Sequence, residues 1–225
     1  MREVSIKNFA NVRIGNAENV TAGTGCTVFI FPESAGAGLS VRGGGPASRE
    51  SELLKPLASA GMNHCMKTGI GSYAVEIGGL MAGAVVAVNS LGDVYDWKTG
   101  RKIAGVLDDD GRTFARTDDV IYGGIDSMGG FAWNSTLAVF MTNAKFRKLE
   151  LCKIADMSHD GFARSIRPVH TGSDGDSVYA VSLGEFEADI DTVGSLAADV
   201  VSEAIIRAVM SAESAYGFPS AKSLA

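Results

Sequence analysis

The sequence predicts an α+β protein whose strands and helices come in blocks along the chain. Short runs rich in β-branched and aromatic residues fill the first half, and two apolar stripes at helical spacing lie in the second half. Because the elements do not alternate strictly, sheets covered by helices on their outer faces are favoured over a doubly wound parallel sheet. The length of 225 residues predicts a single domain over residues 1–225.

Four strands are predicted in the first half of the chain. Residues 26–31 form a buried strand closed by Pro32, with residues 36–42 as its hairpin partner. Residues 69–75 and 80–89 form a second pair, and residues 85–88 are apolar on both faces, so we expect cover on both sides.

Three less regular segments complete the first half. Residues 48–54 are predicted to form a short helical turn that stops before Pro56. Residues 93–100 have the composition of a hairpin turn. Residues 107–126 are polar with little periodicity, which indicates a solvated linker.

The second half contains two strand-like runs, residues 136–141 and 178–183, and two amphipathic helices. The first helix covers residues 149–166 and the second covers residues 193–212. Both apolar stripes are interpreted as core-facing surfaces, and His159 on the first stripe as a core or boundary histidine.

Composition excludes several classes of protein. A net charge of −6 without a basic run argues against a nucleic-acid partner, and no apolar run is long enough to span a bilayer. The N-terminus has no signal-peptide core, so we expect a cytoplasmic protein. Cys26, Cys65 and Cys152 show no metal-like spacing, and we expect Cys26 and Cys152 to be buried, with no metal or cofactor.

Polar groups with catalytic potential stand directly before two of the predicted strands. Asn134 and Ser135 precede the strand at 136–141, and Asp174 and Asp176 precede the strand at 178–183. Cleavage before Ser135 would leave a hydroxyl beside a free α-amine, which can act as its general base. The alternative is an ordinary loop serine.

Each supporting residue also has two interpretations. Asn89 could offer a fixed donor to a developing oxyanion, or it could cap a turn. Asp174 and Asp176 could point the same way and hold an ammonium group, or form a solvated turn. A metal loop is disfavoured because the other ligand positions are missing. His170 lies near both carboxylates in sequence, but no Ser/His/Asp arrangement stands out.

Several motifs resemble the DmpA-like family of self-processing aminopeptidases and amidases, which includes β-peptidyl aminopeptidases and the nylon-oligomer hydrolase. They are AGTGCTV at 22–28, VRGGGP at 41–46, KTGIGS at 67–72, VAVNSLGD at 86–93, NSTL at 134–137, HDGFARSIRP at 159–168 and HTGSDGDS at 170–177. The resemblance implies a four-layer αββα sandwich of the type shared with ornithine acetyltransferases, somewhat reduced here.

By this resemblance, self-cleavage separates an α subunit, residues 1–134, from a β subunit, residues 135–225. Ser135 would be the nucleophile, Asn134 the residue before the cut and Asn89 an oxyanion or substrate contact. Asp174 and Asp176 would be the supporting acids. The implied substrate is a small peptide or amino-acid amide, with α-, β-, D- and ω-amino amides all open. Homo-oligomers of processed heterodimers are implied, without metal or cofactor.

One departure from the family concerns a long segment that relatives carry after about residue 56 and this chain lacks. Lys67, just downstream of the gap, is a candidate substrate-binding residue. The gap keeps open a catalytically degenerate binding or assembly subunit as an alternative. A third alternative is an amino-acid acyltransferase, because the resemblance extends to the self-cleaved fold of ornithine acetyltransferases.

Overall fold

The structure is a computed structural model that describes residues 1–22, 24–44, 57–58, 64–123 and 134–224. Its strands are β1 (Arg2–Val4), β2 (Arg13–Asn19), β3 (Thr24–Ile30), β4 (Gly36–Arg42), β5 (Leu57–Ala58), β6 (Met66–Lys67), β7 (Ile70–Ile77), β8 (Leu80–Ala87), β9 (Asp93–Tyr95), β10 (Lys102–Ala104), β11 (Leu137–Ala144), β12 (Ile166–Arg167) and β13 (Asp176–Phe186). Its helices are α1 (Thr117–Gly123), α2 (Lys148–Ser165) and α3 (Ile190–Ser211), with short 3-10 turns at Ile6–Asn8 and Ala221–Ser223.

Six strands form the main sheet in the order β1-β7-β8-β11-β13-β4. Strands β11 and β13 run parallel, and the other neighbours are antiparallel. The predicted pair at 69–75 and 80–89 is confirmed as β7 and β8. Gly78 and Gly79 join them with φ values of 54° and 90°, a backbone conformation that glycine adopts without strain.

Helices α2 and α3 cover one face of this sheet, and both predicted helices are confirmed with their apolar stripes facing the core. Glycine permits the close packing: a Cβ on Gly71 of β7 would lie 2.2 Å from the carbonyl oxygen of Ala204 on α3. Val86 packs on the helix side and Val85 in the cluster on the opposite face. The sheet is therefore covered on both sides at residues 85–88, as predicted.

The opposite face is partly covered by the N-terminal segment and the β2–β3 ribbon. Phe9, Met141 and Val181 are buried there, with Ile14 and Phe29 packed against them. The α+β fold class is confirmed. Within the described residues, the predicted sandwich is represented by one six-stranded sheet, one helical layer and this ribbon, with two smaller sheets, β10-β9-β12 and β5-β6.

Two predictions about the strand at 26–31 are wrong. It pairs with β2, not with β4, and β4 pairs with β13. The ribbon packs only one side against the sheet, so Val28 is 47% exposed. Cys26 is exposed and Cys152 half-buried, contrary to expectation. Strand β4 joins the main sheet where Gly38 admits the α2 backbone, since a Cβ there would lie 2.3 Å from the Cys152 nitrogen.

The linker predicted at 107–126 is partly wrong, because Leu107 is buried and Thr117 begins helix α1. The Asp93 carboxylate anchors this segment: it accepts from the Thr117 hydroxyl at 2.7 Å and from the Val106 N–H at 3.1 Å. Lys102 Nζ lies 2.8 Å from the same carboxylate. The turn predicted at 93–100 is confirmed only for its later residues, which connect β9 to β10, because residues 93–95 form strand β9 itself. Residues 48–54 lie outside the described residues.

The described ranges contain neither a membrane-spanning helix nor a metal-binding cluster. None of their helices is long and apolar enough to cross a bilayer. Nor do they bring together three or more His, Cys, Asp or Glu side chains as a metal site would need.

Candidate active site

The predicted site residues meet at one edge of the main sheet, where β8 ends and both β11 and β13 begin. Hydrogen bonds continue beyond the ends of these strands. The Gly175 N–H donates to the Asn134 carbonyl at 2.8 Å, and the Asn89 N–H donates to the Thr136 hydroxyl at 3.3 Å. Asn89, the Asn134–Ser135 bond and the acidic pair are therefore close together.

Ser135 is 7% exposed, and its Oγ donates to the carbonyl oxygen of Asn134 at 2.6 Å. The same oxygen accepts the Gly175 N–H. Two donors therefore polarise the carbonyl of the peptide bond predicted to be cut. The sequence analysis missed Gly175. Its position between two aspartates at a strand start was the available signal, because a strand's first N–H groups point at its neighbour.

Asp176 is 1% exposed, and each of its carboxylate oxygens has a fixed partner. Oδ1 accepts the backbone N–H of Thr136 at 2.8 Å, and Oδ2 lies 2.8 Å from Nδ1 of His170. The carboxylate thus holds the residue that directly follows Ser135.

Asp174 is also 1% exposed, so the interpretation of both acids as a solvated turn is wrong. Its Oδ2 accepts the Thr171 N–H at 2.8 Å and the Thr171 hydroxyl at 2.7 Å. Its Oδ1 accepts the Leu91 N–H at 3.4 Å. Burial raises the pKa of the Asp174 carboxyl, and the negative charge of Asp176 raises this pKa further.

Two glycines after β4 pack against the loop that carries these acids. Gly43 has a φ of 97°, and a Cβ there would lie 2.1 Å from the Asp174 carbonyl oxygen. The Gly44 N–H donates to the Thr171 carbonyl at 3.0 Å. Gly43 and Gly44 therefore pack directly against the backbone of the loop at residues 171–174.

Asn89 is buried just past the end of β8. Lys67 lies in β6, and its Nζ donates to the Thr68 carbonyl at 2.5 Å while burial lowers its pKa. The Thr68 hydroxyl donates to the Val88 carbonyl at 2.7 Å, which ties this segment to the end of β8. The roles of Asn89 as an oxyanion donor and of Lys67 as a substrate contact stay predictions.

A cleft of about 900 Å³ lies on the Lys67 side of the molecule and includes His64, Cys65, Leu107 and Pro219 in its lining. None of Ser135, Asp174 and Asp176 borders it. The groups of the candidate site are therefore connected by hydrogen bonds and lie outside the lining of this cleft.

The sequence analysis also missed His170, the partner of Asp176. His170 has a φ of 56°, in the left-handed region, and its ring makes an edge contact with the His159 ring at 4.8 Å between centroids. His159 is a core histidine, as predicted. Burial lowers the pKa of His159 to about 4. Its Nε2 lies 3.2 Å from the Ser40 carbonyl.

The site thus combines a serine hydroxyl, a carbonyl that accepts two hydrogen bonds and two buried carboxylates. A profile of peptidase family S58 matches residues 58–222. The chain belongs to this family, which confirms the family resemblance drawn from the sequence motifs.

Two relatives illustrate the similarity. An uncharacterized aminopeptidase of Mycobacterium leprae is 34% identical over 171 residues, which are 68% of this chain and 47% of the relative. A 6-aminohexanoate-oligomer endohydrolase of an Agromyces species is 26% identical over 201 residues, which are 79% of this chain and 51% of the relative. The chain thus spans about half the length of the curated relatives it matches.

Among solved structures, the L-aminopeptidase D-Ala-esterase/amidase of Ochrobactrum anthropi is similar with a TM-score of 0.46 and 22% identity. The similarity covers 68% of this chain and 43% of that chain.

Proposed function

We propose that this chain is a self-processing amidohydrolase that cuts its own Asn134–Ser135 bond and then uses Ser135 to hydrolyse small amides. The observation that carries the proposal is the 2.6 Å hydrogen bond from Ser135 Oγ to the Asn134 carbonyl oxygen. It holds the hydroxyl beside the carbonyl it would attack. The Gly175 N–H, 2.8 Å from the same oxygen, supports the proposal from the other side.

In the processing step, Ser135 Oγ attacks the carbonyl carbon of Asn134 and releases the proton that the Ser135 nitrogen takes up when the C–N bond breaks. Negative charge develops on the carbonyl oxygen, where the Gly175 N–H is already placed to stabilise it. The C–N bond breaks as the Ser135 nitrogen takes a proton, which leaves an ester. Water hydrolyses the ester, giving a carboxylate on Asn134 and a free amine and hydroxyl on Ser135.

In the mature enzyme, the α-amine of Ser135 accepts the proton of its own hydroxyl during attack on a substrate. Asp176 fixes the next residue through the Thr136 N–H. Asn89 is the proposed donor to the substrate oxyanion, Asp174 the second supporting acid, and Lys67 a proposed substrate contact. The substrate class is a small peptide or amino-acid amide, in keeping with the names of the two relatives.

The two pieces would remain together after cleavage, because they share the main sheet. Strands β11 and β13 of residues 135–225 lie between β8 and β4, which belong to residues 1–134. We extend the proposal to homo-oligomers of this processed heterodimer in the cytoplasm.

Denaturing electrophoresis of the purified chain tests the proposal. The expected result is two bands of about 14 and about 9.5 kDa, from a mean residue mass of 23.4 kDa over 225 residues. Ser135→Ala should give one band. Ser158→Ala, which alters an equally buried serine on α2, should still give two. Cleavage of the Ser135→Ala chain at the same bond would refute the mechanism.

A second candidate is a catalytically degenerate binding or assembly subunit, motivated by the internal segment that the family carries after about residue 56 and this sequence lacks. It predicts an uncut wild-type chain and no hydrolysis of an amino-acid p-nitroanilide. Product formed only when an amine acceptor is added would instead indicate acyl transfer.

A further inference from the structure

We infer that His170 is a positioning residue for the Ser135 site, because it holds the Asp176 carboxylate in the orientation that anchors the Thr136 N–H. This inference rests on the proposed function and adds a residue to it. His170 acts through Asp176, so it is not a catalytic residue.

The carboxylate of Asp176 bridges two donors, and only one of them belongs to the nucleophile strand. Oδ1 accepts the Thr136 N–H at 2.8 Å and Oδ2 lies 2.8 Å from His170 Nδ1. A carboxylate with a partner on each oxygen is fixed about its side-chain torsions, because rotation would break one bond or the other. Fixing Thr136 in this way fixes the backbone on one side of Ser135.

His170 is itself held in place by the helical layer. Its ring lies 4.8 Å from the His159 ring and 5.8 Å from the Phe162 ring, measured between centroids. Both of those side chains belong to α2 and have no exposed surface. Packing against these core side chains therefore fixes the imidazole. The hydrogen bond from the imidazole in turn fixes the orientation of the Asp176 carboxylate.

The hydrogen-bond roles of His170 agree with positioning. Nδ1 carries the proton that faces the carboxylate, since a carboxylate only accepts. Nε2 is buried and has no hydrogen-bond partner among the described residues. The hydrogen bond of the His170 ring therefore goes to Asp176 and not to the Ser135 hydroxyl, whose own bond goes to Asn134.

The backbone at His170 allows a matched pair of variants. Its φ of 56° suits glycine and asparagine, which enter the left-handed region more readily than other residues. His170→Asn keeps a side-chain N–H close to the position of Nδ1, whereas His170→Gly keeps only the backbone conformation. A difference between them reports on the hydrogen bond to Asp176 and not on backbone strain.

The test is a pulse-chase of the full chain made by cell-free synthesis, following loss of the uncut precursor. We expect His170→Gly to cleave about tenfold or more slowly than wild type, as loss of a charge-assisted bond implies. His170→Asn should recover most of that rate. His64→Asn, at a half-exposed histidine away from Asp176, should cleave at the wild-type rate.

The possible outcomes distinguish the positioning role of His170 from the proposed self-processing function. If wild type cleaves and His170→Gly matches its rate, the positioning role is wrong and the proposed function stands. Equal slowing in the Asn and Gly variants would also overturn the positioning role. An uncut wild-type chain would overturn the proposed function, and the role of His170 with it.

The protonated nitrogen of His170 can also be measured in a chain that is not cleaved. Nitrogen NMR of histidine tautomers in the uncut Ser135→Ala chain should show His170 protonated on Nδ1. In Ser135→Ala with Asp176→Ala, this preference should be lost. Retention of the same tautomer without the carboxylate would contradict the proposed pairing.

Discussion

Two substitutions of Asp176 should lower the free energy of unfolding by different amounts. The side chain is 1% exposed and accepts from Thr136 and His170 at 2.8 Å each. Asp176→Ala leaves the Thr136 N–H and the His170 ring without an acceptor. The free energy of unfolding should fall by about 1–3 kcal/mol for each unsatisfied group, or about 2–6 kcal/mol together. This is a large share of the roughly 5–15 kcal/mol by which a domain is stable.

Asp176→Asn has nearly the same shape and keeps one acceptor for the Thr136 N–H. It loses the negative charge, and the loss of charge assistance should cost about 1–2 kcal/mol. Urea unfolding followed by circular dichroism measures both free energies. Every protein should carry Ser135→Ala, so that single intact chains are compared. Equal urea midpoints for the Ala and Asn variants, or no loss in the Ala variant, would refute the reasoning.

Three further changes probe the framework around the site, each by unfolding of the Ser135→Ala chain. Burial lowers the pKa of His159 from 6.5 to about 4. The unfolded chain therefore takes up the proton first as the pH falls, and about 3 kcal/mol of stability is lost between pH 6.5 and 4. His159→Gln should show a correspondingly smaller loss over that range, and an unchanged pH dependence would contradict this. Asp93→Ala should cost about 3–5 kcal/mol, because it leaves the ammonium of Lys102 without its buried partner. Lys102→Met should cost less, since the carboxylate keeps its other donors, and the reverse order would count against the account. Gly71→Ala should cost about 3 kcal/mol or more by pushing helix α3 away. Gly15→Ala, in a strand with nothing within 4 Å of the added methyl, should stay within about 0.5 kcal/mol. Equal costs for the two glycines would show that the close approach does not matter.

Local pattern predicted most of the longer regular elements, because period and turn chemistry depend on neighbouring residues. Helices α2 and α3 followed from their apolar stripes, and β7 and β8 from composition. Strand partners depend on distant residues. The pairing of β4 with β13 could not be predicted from an adjacent run of apolar residues at 26–31.

Some residues of the candidate site could be predicted from the sequence and others could not. Asn89, Ser135, Asp174 and Asp176 were visible as polar residues at strand ends, and the structure brings them to one edge of the sheet. Gly175 acts through its backbone N–H, which every residue except proline carries, so its identity gave no chemical signal. His170 reaches Asp176 across a loop whose conformation the spacing of residues does not encode.

The linker at 107–126 shows how a buried charge can reorganise a polar segment. Its composition indicated solvent exposure, yet the buried Asp93 carboxylate accepts the Thr117 N–H at 3.1 Å and its hydroxyl at 2.7 Å. A buried carboxylate needs hydrogen-bond donors, so polar backbone groups of this segment pack against it in the interior. No periodicity within the segment carries that information.

The central claim is tested most directly by intact mass and amino-terminal sequencing of the purified wild-type chain. Self-processing at Asn134–Ser135 should give two species whose masses sum to the uncut chain plus one water, with the smaller beginning Ser135-Thr136-Leu137. Processing in water enriched in oxygen-18 should place one heavy oxygen on the new carboxylate of Asn134. A single persistent species of 23.4 kDa, or a cut at any other bond, would contradict it.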